Sequence, residues 1–165
     1  MAGEALSGPG HEEGTAPRPD LESAAWWEGL RSHRVLLQHC RDCGRTRFPP
    51  MPSCPWCAAA AFDVVESTGR GVVYSFVTAH VAVSPGYGGS LPYSVATVEL
   101  EEGPRCLGRV EPPSPLAIGD RVVSRFADHA TWTELYFEPV AASPSEPAAH
   151  ASEPAAHASE PAAHA

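Results

Sequence analysis

Residues 40–57 read Cys40-Arg-Asp-Cys43-Gly-Arg-Thr-Arg-Phe-Pro-Pro-Met-Pro-Ser-Cys54-Pro-Trp-Cys57 and decide the fold of this part of the chain. Ten residues separate the two Cys-x-x-Cys pairs. This spacing lets two tight turns each offer two thiolates to one ion, which completes a tetrahedral site with four sulfur ligands. Because four protein ligands leave no open position for substrate, we expect a structural zinc site. Iron in a rubredoxin-like site is the alternative.

Each cysteine pair is followed by a residue at which the turn favours a positive φ angle. Gly44 follows the first pair and adopts such an angle without cost, whereas Ala58 stands at the equivalent place after the second pair. We therefore expect slight backbone strain at Ala58 and no loss of a metal ligand.

The sequence before the cysteines predicts one short helix and the start of the ribbon. Asp20 is a suitable N-cap for a helix within residues 20–34, which presents Leu21, Trp27 and Leu30 for packing. Residues 35–66 then form the predicted zinc ribbon, beginning with a strand at Val35–Gln38 that leads into Cys40.

The sequence after the ribbon, residues 67–140, alternates between apolar and polar residues in a way that is typical of strands. Short turns and one proline-rich loop connect these strands. This pattern favours a small closed Greek-key barrel of the OB type, with an open sandwich as the alternative. The predicted fold class is therefore mostly β: a short helix, a rubredoxin-like zinc ribbon and a five-stranded OB-fold. The five predicted barrel strands are Gly71–Ala79, Tyr93–Leu100, Arg105–Val110, Asp120–Phe126 and Glu134–Val140.

Both ends of the chain have low-complexity composition. Residues 1–19 are rich in Gly, Pro, Ala and Glu and show no periodicity, and residues 141–165 end in three repeats of Ser-Glu-Pro-Ala-Ala-His-Ala, from Ser145 to Ala165. The composition of the first segment and the helix-breaking proline in every repeat of the second predict that both segments are disordered. The sequence shows neither a signal peptide nor an apolar run of membrane-spanning length, which predicts a cytoplasmic protein without a membrane partner.

Charge and motifs exclude several functional classes. The 165-residue chain has a formal net charge of −9, and its eleven basic residues are all arginine, so no lysine-dependent chemistry is available. The acidity argues against nucleic acid as a partner. No nucleophile elbow, P-loop or dinucleotide fingerprint occurs. Cys106 is expected to be a buried, inert thiol in a strand. In the loop before Pro92, Tyr87 is a candidate contact for a partner or ligand.

Taken together, a set of short motifs resembles the DUF35 family. The motifs are Trp26–Leu30 (WWEGL), Leu36–Cys40 (LLQHC), Phe48–Pro50, Cys54-Pro-x-Cys57, Gly69-x-Gly71-x-Val73-Tyr-Ser-Phe76, Pro92-Tyr93, Val98–Leu100 and Ile118–Asp120. The resemblance implies the same three parts: a helix, a zinc ribbon and a C-terminal OB-fold.

The resemblance also implies a function that no motif supplies by itself. Members of this family are non-catalytic partners of thiolase-superfamily enzymes that act on acyl-CoA thioesters. These enzymes include thiolases and lipid-transfer-protein-like aldolases that cleave steroid side chains. The implied state is a hetero-oligomer in which the partner carries out the chemistry and the coenzyme A thioester is the substrate of the complex. Two alternatives remain open at this point, a nucleic-acid-binding module and an independent acyl-CoA thioesterase.

Five arginines lie in and just before the ribbon, and Asp42 is the only acidic residue within residues 31–47. Guanidinium groups suit carboxylates on a partner and the phosphates of coenzyme A, so we expect a partner- or CoA-facing surface here; a solvated basic face is the alternative. Trp26, Trp27 and Trp56 are candidate interface anchors, of which at least one is expected to pack in the core. The arginines are Arg31, Arg34, Arg41, Arg45 and Arg47.

Overall fold

The computed structural model describes residues 16–81 and 91–140. One helix, a three-stranded sheet and a closed five-stranded barrel follow one another along the chain. This order confirms the predicted fold class. The predictions of disorder at the two ends concern mostly residues 1–15 and 141–165, which lie outside the described residues, as does Tyr87. In the described part of the chain, no helix is long and apolar enough to cross a membrane.

Helix α1 spans Ala24–Arg31 and begins later than the sequence indicates. Asp20 does not cap it, because the Asp20 carboxylate accepts hydrogen bonds from the Ser23 backbone N–H (2.8 Å) and hydroxyl. The Ser23 hydroxyl in turn accepts from the backbone N–H of Asp20 at 3.0 Å. These reciprocal bonds form a separate turn before the helix, and Ser23 occupies the N-cap position.

The ribbon contains a small antiparallel sheet in the order β2-β1-β3. Strand β1 (Leu36–Cys40) pairs with the two-residue strand β2 (Thr46–Arg47) and with β3 (Phe62–Glu66). The register places Leu36 opposite Glu66 and Cys40 opposite Phe62. Strand β1 therefore ends at Cys40, the first cysteine of the first Cys-x-x-Cys pair.

The C-terminal part is a closed barrel with the strand order β4-β5-β6-β8-β7. All neighbouring pairs are antiparallel except β6 and β8, which run parallel. Relative to the first barrel strand this order is 1-2-3-5-4, a five-stranded Greek-key barrel of the OB type. The strands lie within two residues of their predicted ends: β4 Arg70–Ala79, β5 Tyr93–Leu100, β6 Arg105–Val110, β7 Arg121–Asp128 and β8 Thr133–Pro139.

A single hydrophobic core joins the helix, the ribbon and the barrel. Trp26 and Leu30 of the helix and Leu37 of β1 are buried in the same cluster as barrel residues such as Phe137. The Ser67 N–H donates to the Val35 carbonyl at 2.8 Å and ties the ribbon to the barrel entrance. Burial of Trp26 agrees with the expectation that one of the three tryptophans packs in the core.

Candidate metal centre

The two Cys-x-x-Cys segments form two matching turns. In the first, the Gly44 N–H donates to the Cys40 carbonyl at 3.0 Å and the Cys40 N–H donates to the Arg45 carbonyl at 2.9 Å. In the second, Ala58 and Cys54 make the corresponding bonds at 2.8 Å each. The two turns thus repeat one backbone pattern, which presents both sulfur atoms of each pair on the same side.

The structure brings the four predicted ligands together, as their spacing predicts. The Sγ atoms of Cys40 and Cys57 lie 3.6 Å apart, as do those of Cys43 and Cys54, and all four lie within 4.8 Å of one another. All four cysteines are free of disulfides. Because Zn–S bonds are about 2.3 Å long, a tetrahedral ZnS₄ site has sulfur–sulfur distances of about 3.8 Å. The donor set and its geometry therefore fit a zinc ion.

Backbone hydrogen bonds, burial and neighbouring sulfur atoms give Cys40, Cys54 and Cys57 different pKa values. Backbone hydrogen bonding, chiefly at Cys43, lowers the pKa of Cys40. Burial raises the pKa of Cys54, but hydrogen bonds from the backbone at Trp56 and Cys57 outweigh it and bring the value to about 6. Cys57 has a backbone hydrogen bond at Ala59 that favours its thiolate. Burial and the neighbouring sulfur atoms, however, raise its pKa to about 12. A bound cation would favour the thiolate form of these side chains, as a zinc site needs.

Both residues that follow the cysteine pairs adopt positive φ angles, 69° at Gly44 and 60° at Ala58, as expected. The left-handed region costs a residue with a Cβ atom roughly 1–2 kcal/mol, whereas glycine enters it freely. We expect Ala58→Gly to raise the stability of the metal-bound protein. The net gain should be only about 0.5–1 kcal/mol, because the greater entropy of glycine in the unfolded chain offsets part of the relieved strain. Thermal unfolding at saturating zinc measures this change.

The matched control is the reverse substitution in the other turn. Gly44→Ala introduces a Cβ that meets no atom within 4 Å, so only the backbone conformation opposes it. We expect a loss of about 1 kcal/mol. Shifts of the same sign in both variants would contradict the equivalence of the two turns.

Arg47 does not face a partner, and its assignment to the partner- or CoA-facing surface is wrong. Its side chain is only 1% exposed, since the pairing of β2 with β1 places it opposite Gln38 and carries it inside. The Nε atom donates to Gln38 Oε1 at 2.7 Å, and the guanidinium lies 5.2 Å from the centre of the Phe62 ring. The Met51 N–H donates to the same Gln38 oxygen at 3.0 Å. Sequence analysis missed this structural role, because a two-residue strand leaves no periodic signal.

Three further arginines of the predicted surface are paired with acids. Arg31 lies 3.7 Å from Glu28, Arg34 donates to Glu66 at 2.7 Å, and Arg41 donates through Nε to Asp63 at 2.9 Å. The hydrogen bond from Arg41 lowers the pKa of Asp63. The expectation that only Asp42 opposes these arginines is thus corrected, because β3 supplies two carboxylates from more than twenty residues away.

Arg45 remains as the exposed arginine of this group that has no carboxylate partner among the described residues. Its guanidinium lies 5.3 Å from the ring centre of Trp56, and this indole is 52% exposed. Arg45 follows the first cysteine pair and Trp56 lies inside the second. The two turns that hold the metal thus also present a cation and an aromatic ring side by side. We call Arg45 and Trp56 the knuckle surface.

The remaining candidate residues carry no recognisable chemistry. Cys106 is 1% exposed and burial raises its pKa to about 12, which agrees with an inert thiol. Arg105 and Arg109, the basic residues of β6, are ion-paired with Glu99 and with Glu134, respectively. Strands β5 and β6 therefore lack the free cations that a nucleic-acid-binding OB-fold face needs.

Family models describe both parts of the chain. The rubredoxin-like zinc ribbon domain of ChsH2 matches residues 27–63, and the C-terminal OB-fold domain of ChsH2 matches residues 64–127. The boundary between the two models falls in β3, just before the ribbon passes into the barrel.

Several relatives are named as enzyme subunits. The 3-oxo-4,17-pregnadiene-20-carboxyl-CoA hydratase alpha subunit of Mycobacterium tuberculosis is 35% identical over 74% of this chain and 39% of its own length. The benzoylsuccinyl-CoA thiolase subunit BbsA of Thauera aromatica is 33% identical over 44% of this chain and 48% of its own length. The chain thus spans less than half the length of each of these two subunits.

Other similar proteins match over most of their length. A DUF35 domain-containing scaffold protein of Methanocaldococcus jannaschii is 32% identical over 61% of this chain and 73% of its own length. A solved chain of the Ltp2-ChsH2(DUF35) aldolase is 35% identical and superposes with a TM-score of 0.69 over 75% of this chain and 98% of its own length. The chain therefore belongs to the DUF35 family, with a zinc ribbon and an OB-fold of the ChsH2 type.

Proposed function

We propose that this chain is a non-catalytic accessory subunit that binds and supports a thiolase-superfamily enzyme, a thiolase or an aldolase, acting on acyl-CoA thioesters. The observation that carries the proposal is the similarity to the DUF35 chain of the Ltp2-ChsH2 aldolase over 98% of that chain. The closed metal site and the buried Cys106 are consistent with it, because neither offers an open ligand position or a reactive thiol.

The finer parts of the proposal concern substrate and compartment. The name of the relative from Mycobacterium tuberculosis specifies a steroid-derived CoA thioester, which supports a role of the complex in steroid or lipid side-chain degradation. Four free thiols at the metal site suit the reducing cytoplasm.

Capture of the tagged chain from lysate of its source cells tests the proposal. We expect a thiolase-like subunit to co-purify in near-equal amount, with a native mass that indicates a hetero-oligomer, and thioester turnover only in the complex. Thioester hydrolysis by the isolated chain would support the thioesterase alternative instead. Salt-dependent retention on single-stranded DNA would support the nucleic-acid alternative.

A single substitution in the knuckle surface provides a second test of the proposed accessory function. Arg45 is exposed and free of carboxylate partners in the described residues, so it is available to a carboxylate of the partner or a phosphate of coenzyme A. We expect Arg45→Glu to raise the dissociation constant of the complex by about tenfold, with its metal content unchanged. Titration calorimetry and metal analysis measure the two quantities.

Arg121→Glu is the matched control, since Arg121 is an exposed arginine at the start of β7 on the barrel. It changes the net charge by the same amount at a different place. An equal loss of affinity in both variants would assign the effect to net charge and not to the knuckle surface.

A further inference from the structure

Among the described residues, the outer half of β4 has only one strand neighbour. Strand β4 pairs with β5 from Gly71 to Ala79, but its pairing with β7 covers only Arg70–Val72. Val73 still exchanges backbone hydrogen bonds with Gly119 and Asp120. From Tyr74 to Ala79, no backbone hydrogen bond to a second neighbour occurs within the described residues. We call residues 74–79 the open edge.

The open edge lacks the features that protect other strand ends. It reads Tyr-Ser-Phe-Val-Thr-Ala, with no charge and no proline. Exposed edges with β-branched and aromatic residues pair readily with another chain, and charged side chains or very short strands prevent this. The other partly paired strands carry such protection: β2 has two residues, and charges stand at Asp63 and Glu66 on β3, Arg105 on β6, and Arg125 and Asp128 on β7.

Side chains on both faces of the open edge are accessible. Phe76 is 38% exposed and Val77 is 62% exposed, and as consecutive strand residues they point to opposite faces. On the face of Val77, the outer surface continues from Ser75 across its pairing partner Thr97 to Leu107, which is 64% exposed. An occupant that covers both faces and satisfies the backbone groups has to lie alongside the strand in an extended conformation.

Charge selects among the possible occupants. Residues 74–79 carry no cation of their own, and Arg105, whose guanidinium lies 3.3 Å from the ring centre of Tyr74, is paired with Glu99. Among the described residues the open edge therefore offers no unpaired cation to a nucleic acid, and a second copy of this chain would bring together two molecules with a net charge of −9 each. An uncharged extended segment of a different protein meets neither obstacle. β-Branched or aromatic side chains on that segment would match the exposed Phe76 and Val77.

We propose that the open edge receives an extended, uncharged segment of the partner enzyme, which adds a strand beside β4. This inference rests on the proposed accessory function and names the part of the barrel through which the complex is held together. It assigns to the OB-fold a contact separate from the knuckle surface.

Hydrogen–deuterium exchange tests it on the isolated chain and on the complex with the co-purified thiolase-like subunit. In an antiparallel ladder, every second N–H of the open edge points away from β5. We expect these amides to exchange freely in the isolated chain and at least about tenfold more slowly in the complex. The amides bonded to β5 should be protected in both samples.

The second measurement is the affinity of the Val77→Lys variant for the thiolase-like subunit. A charge at this exposed position of the open edge should block strand addition without disturbing the core. We expect it to weaken the complex at least about tenfold. Val64→Lys is the control: Val64 is an exposed valine on β3, the edge strand of the ribbon sheet. This control should change the affinity by less than about twofold.

The outcomes separate the two proposals. A complex that forms without slowing exchange at the open edge would overturn this inference and leave the accessory function standing. Failure of any thiolase-like subunit to bind would overturn both. The amides of the open edge could also be fully protected from exchange in the isolated chain. A native mass of a dimer would then show that a second copy occupies the open edge, and a native mass of a monomer would show that another segment of the same chain occupies it. Either result overturns the inference.

Discussion

Removal of the metal is expected to unfold the zinc ribbon. Structural zinc contributes about 10–16 kcal/mol to the folding of small zinc domains at neutral pH, which equals or exceeds the whole stability of a typical domain, about 5–15 kcal/mol. In this chain the ribbon has only a three-stranded sheet, one strand of which is two residues long. We expect a chelator to change the environment of three of the four tryptophans, because Trp26, Trp27 and Trp56 lie in the helix and ribbon. The fourth, Trp132, lies in the barrel between β7 and β8.

The experiment combines metal analysis with fluorescence. The purified chain should hold one zinc ion, and chelation should shift the tryptophan emission to longer wavelength and lower the melting temperature. Cys43→Ser should reproduce this loss without chelator, since Cys43 lies towards the surface and its replacement changes a ligand more than it changes packing. Cys106→Ala is the control that removes a thiol outside the site. A metal-free chain with an unchanged melt would refute the metal site, and bound iron would identify the rubredoxin-like alternative.

Unfolding of the ribbon is also expected to destabilise the barrel, because the two share one hydrophobic core. Val35 and Leu37 of the ribbon are buried in one cluster with Trp26, Leu30 and barrel side chains. Release of these residues leaves apolar barrel surface exposed to water, which costs about 25 cal/mol for each Å². We therefore expect the metal-free protein to bind a hydrophobic dye and to lose affinity for its partner.

The metal site could be predicted from the sequence because its geometry is local. A Cys-x-x-Cys turn presents two sulfur atoms whatever the rest of the chain does, so only the meeting of the two turns depends on the fold. The barrel strands were predictable for a similar reason, since alternation of apolar and polar residues records burial directly. The strand ends agree within two residues, as the turns at Glu101–Pro104 and the prolines after Val110 stop the pattern.

The electrostatic surface of the ribbon could not be predicted in the same way. Counting charges along residues 31–47 finds five arginines and one aspartate, but the register of β1 with β3 brings Asp63 and Glu66 to Arg41 and Arg34. An arginine in a short strand also gives no sign that it is buried, as Arg47 is. The first error arises because long-range strand pairing, unlike a turn, leaves no mark in the nearby sequence. The second arises because a two-residue strand is too short to show a periodic pattern.

Substitution of Phe137 is expected to be the most damaging single change in the barrel. Phe137 is fully buried, and its backbone joins β8 to both β6 and β7. Replacement by alanine removes most of an aromatic side chain from the core and leaves a cavity, which costs about 3–5 kcal/mol. Denaturant unfolding of the zinc-bound protein measures this loss.

Gly108 of β6 lies against the Phe137 ring, so a substitution there tests how tightly the two strands pack. A Cβ atom on Gly108 would lie 2.8 Å from Cδ2 and 2.9 Å from Cε2 of the Phe137 ring, well inside van der Waals contact. Gly108→Ala alone should therefore cost about 1–3 kcal/mol through overpacking. In the Phe137→Ala background, the same methyl group enters the cavity, so the double variant should be more stable than the sum of the two losses by about 0.5–3 kcal/mol.

The control pairs Gly108→Ala with Val122→Ala, which truncates another buried barrel residue that is not among the atoms nearest to a Cβ on Gly108. These two changes should add within about 0.5 kcal/mol. If Gly108 and Phe137 also behaved additively, the close contact between β6 and the Phe137 ring would not exist in solution. The barrel would then close through a different packing of β6 against β8, and the accessory subunit would present a differently shaped outer surface to its partner.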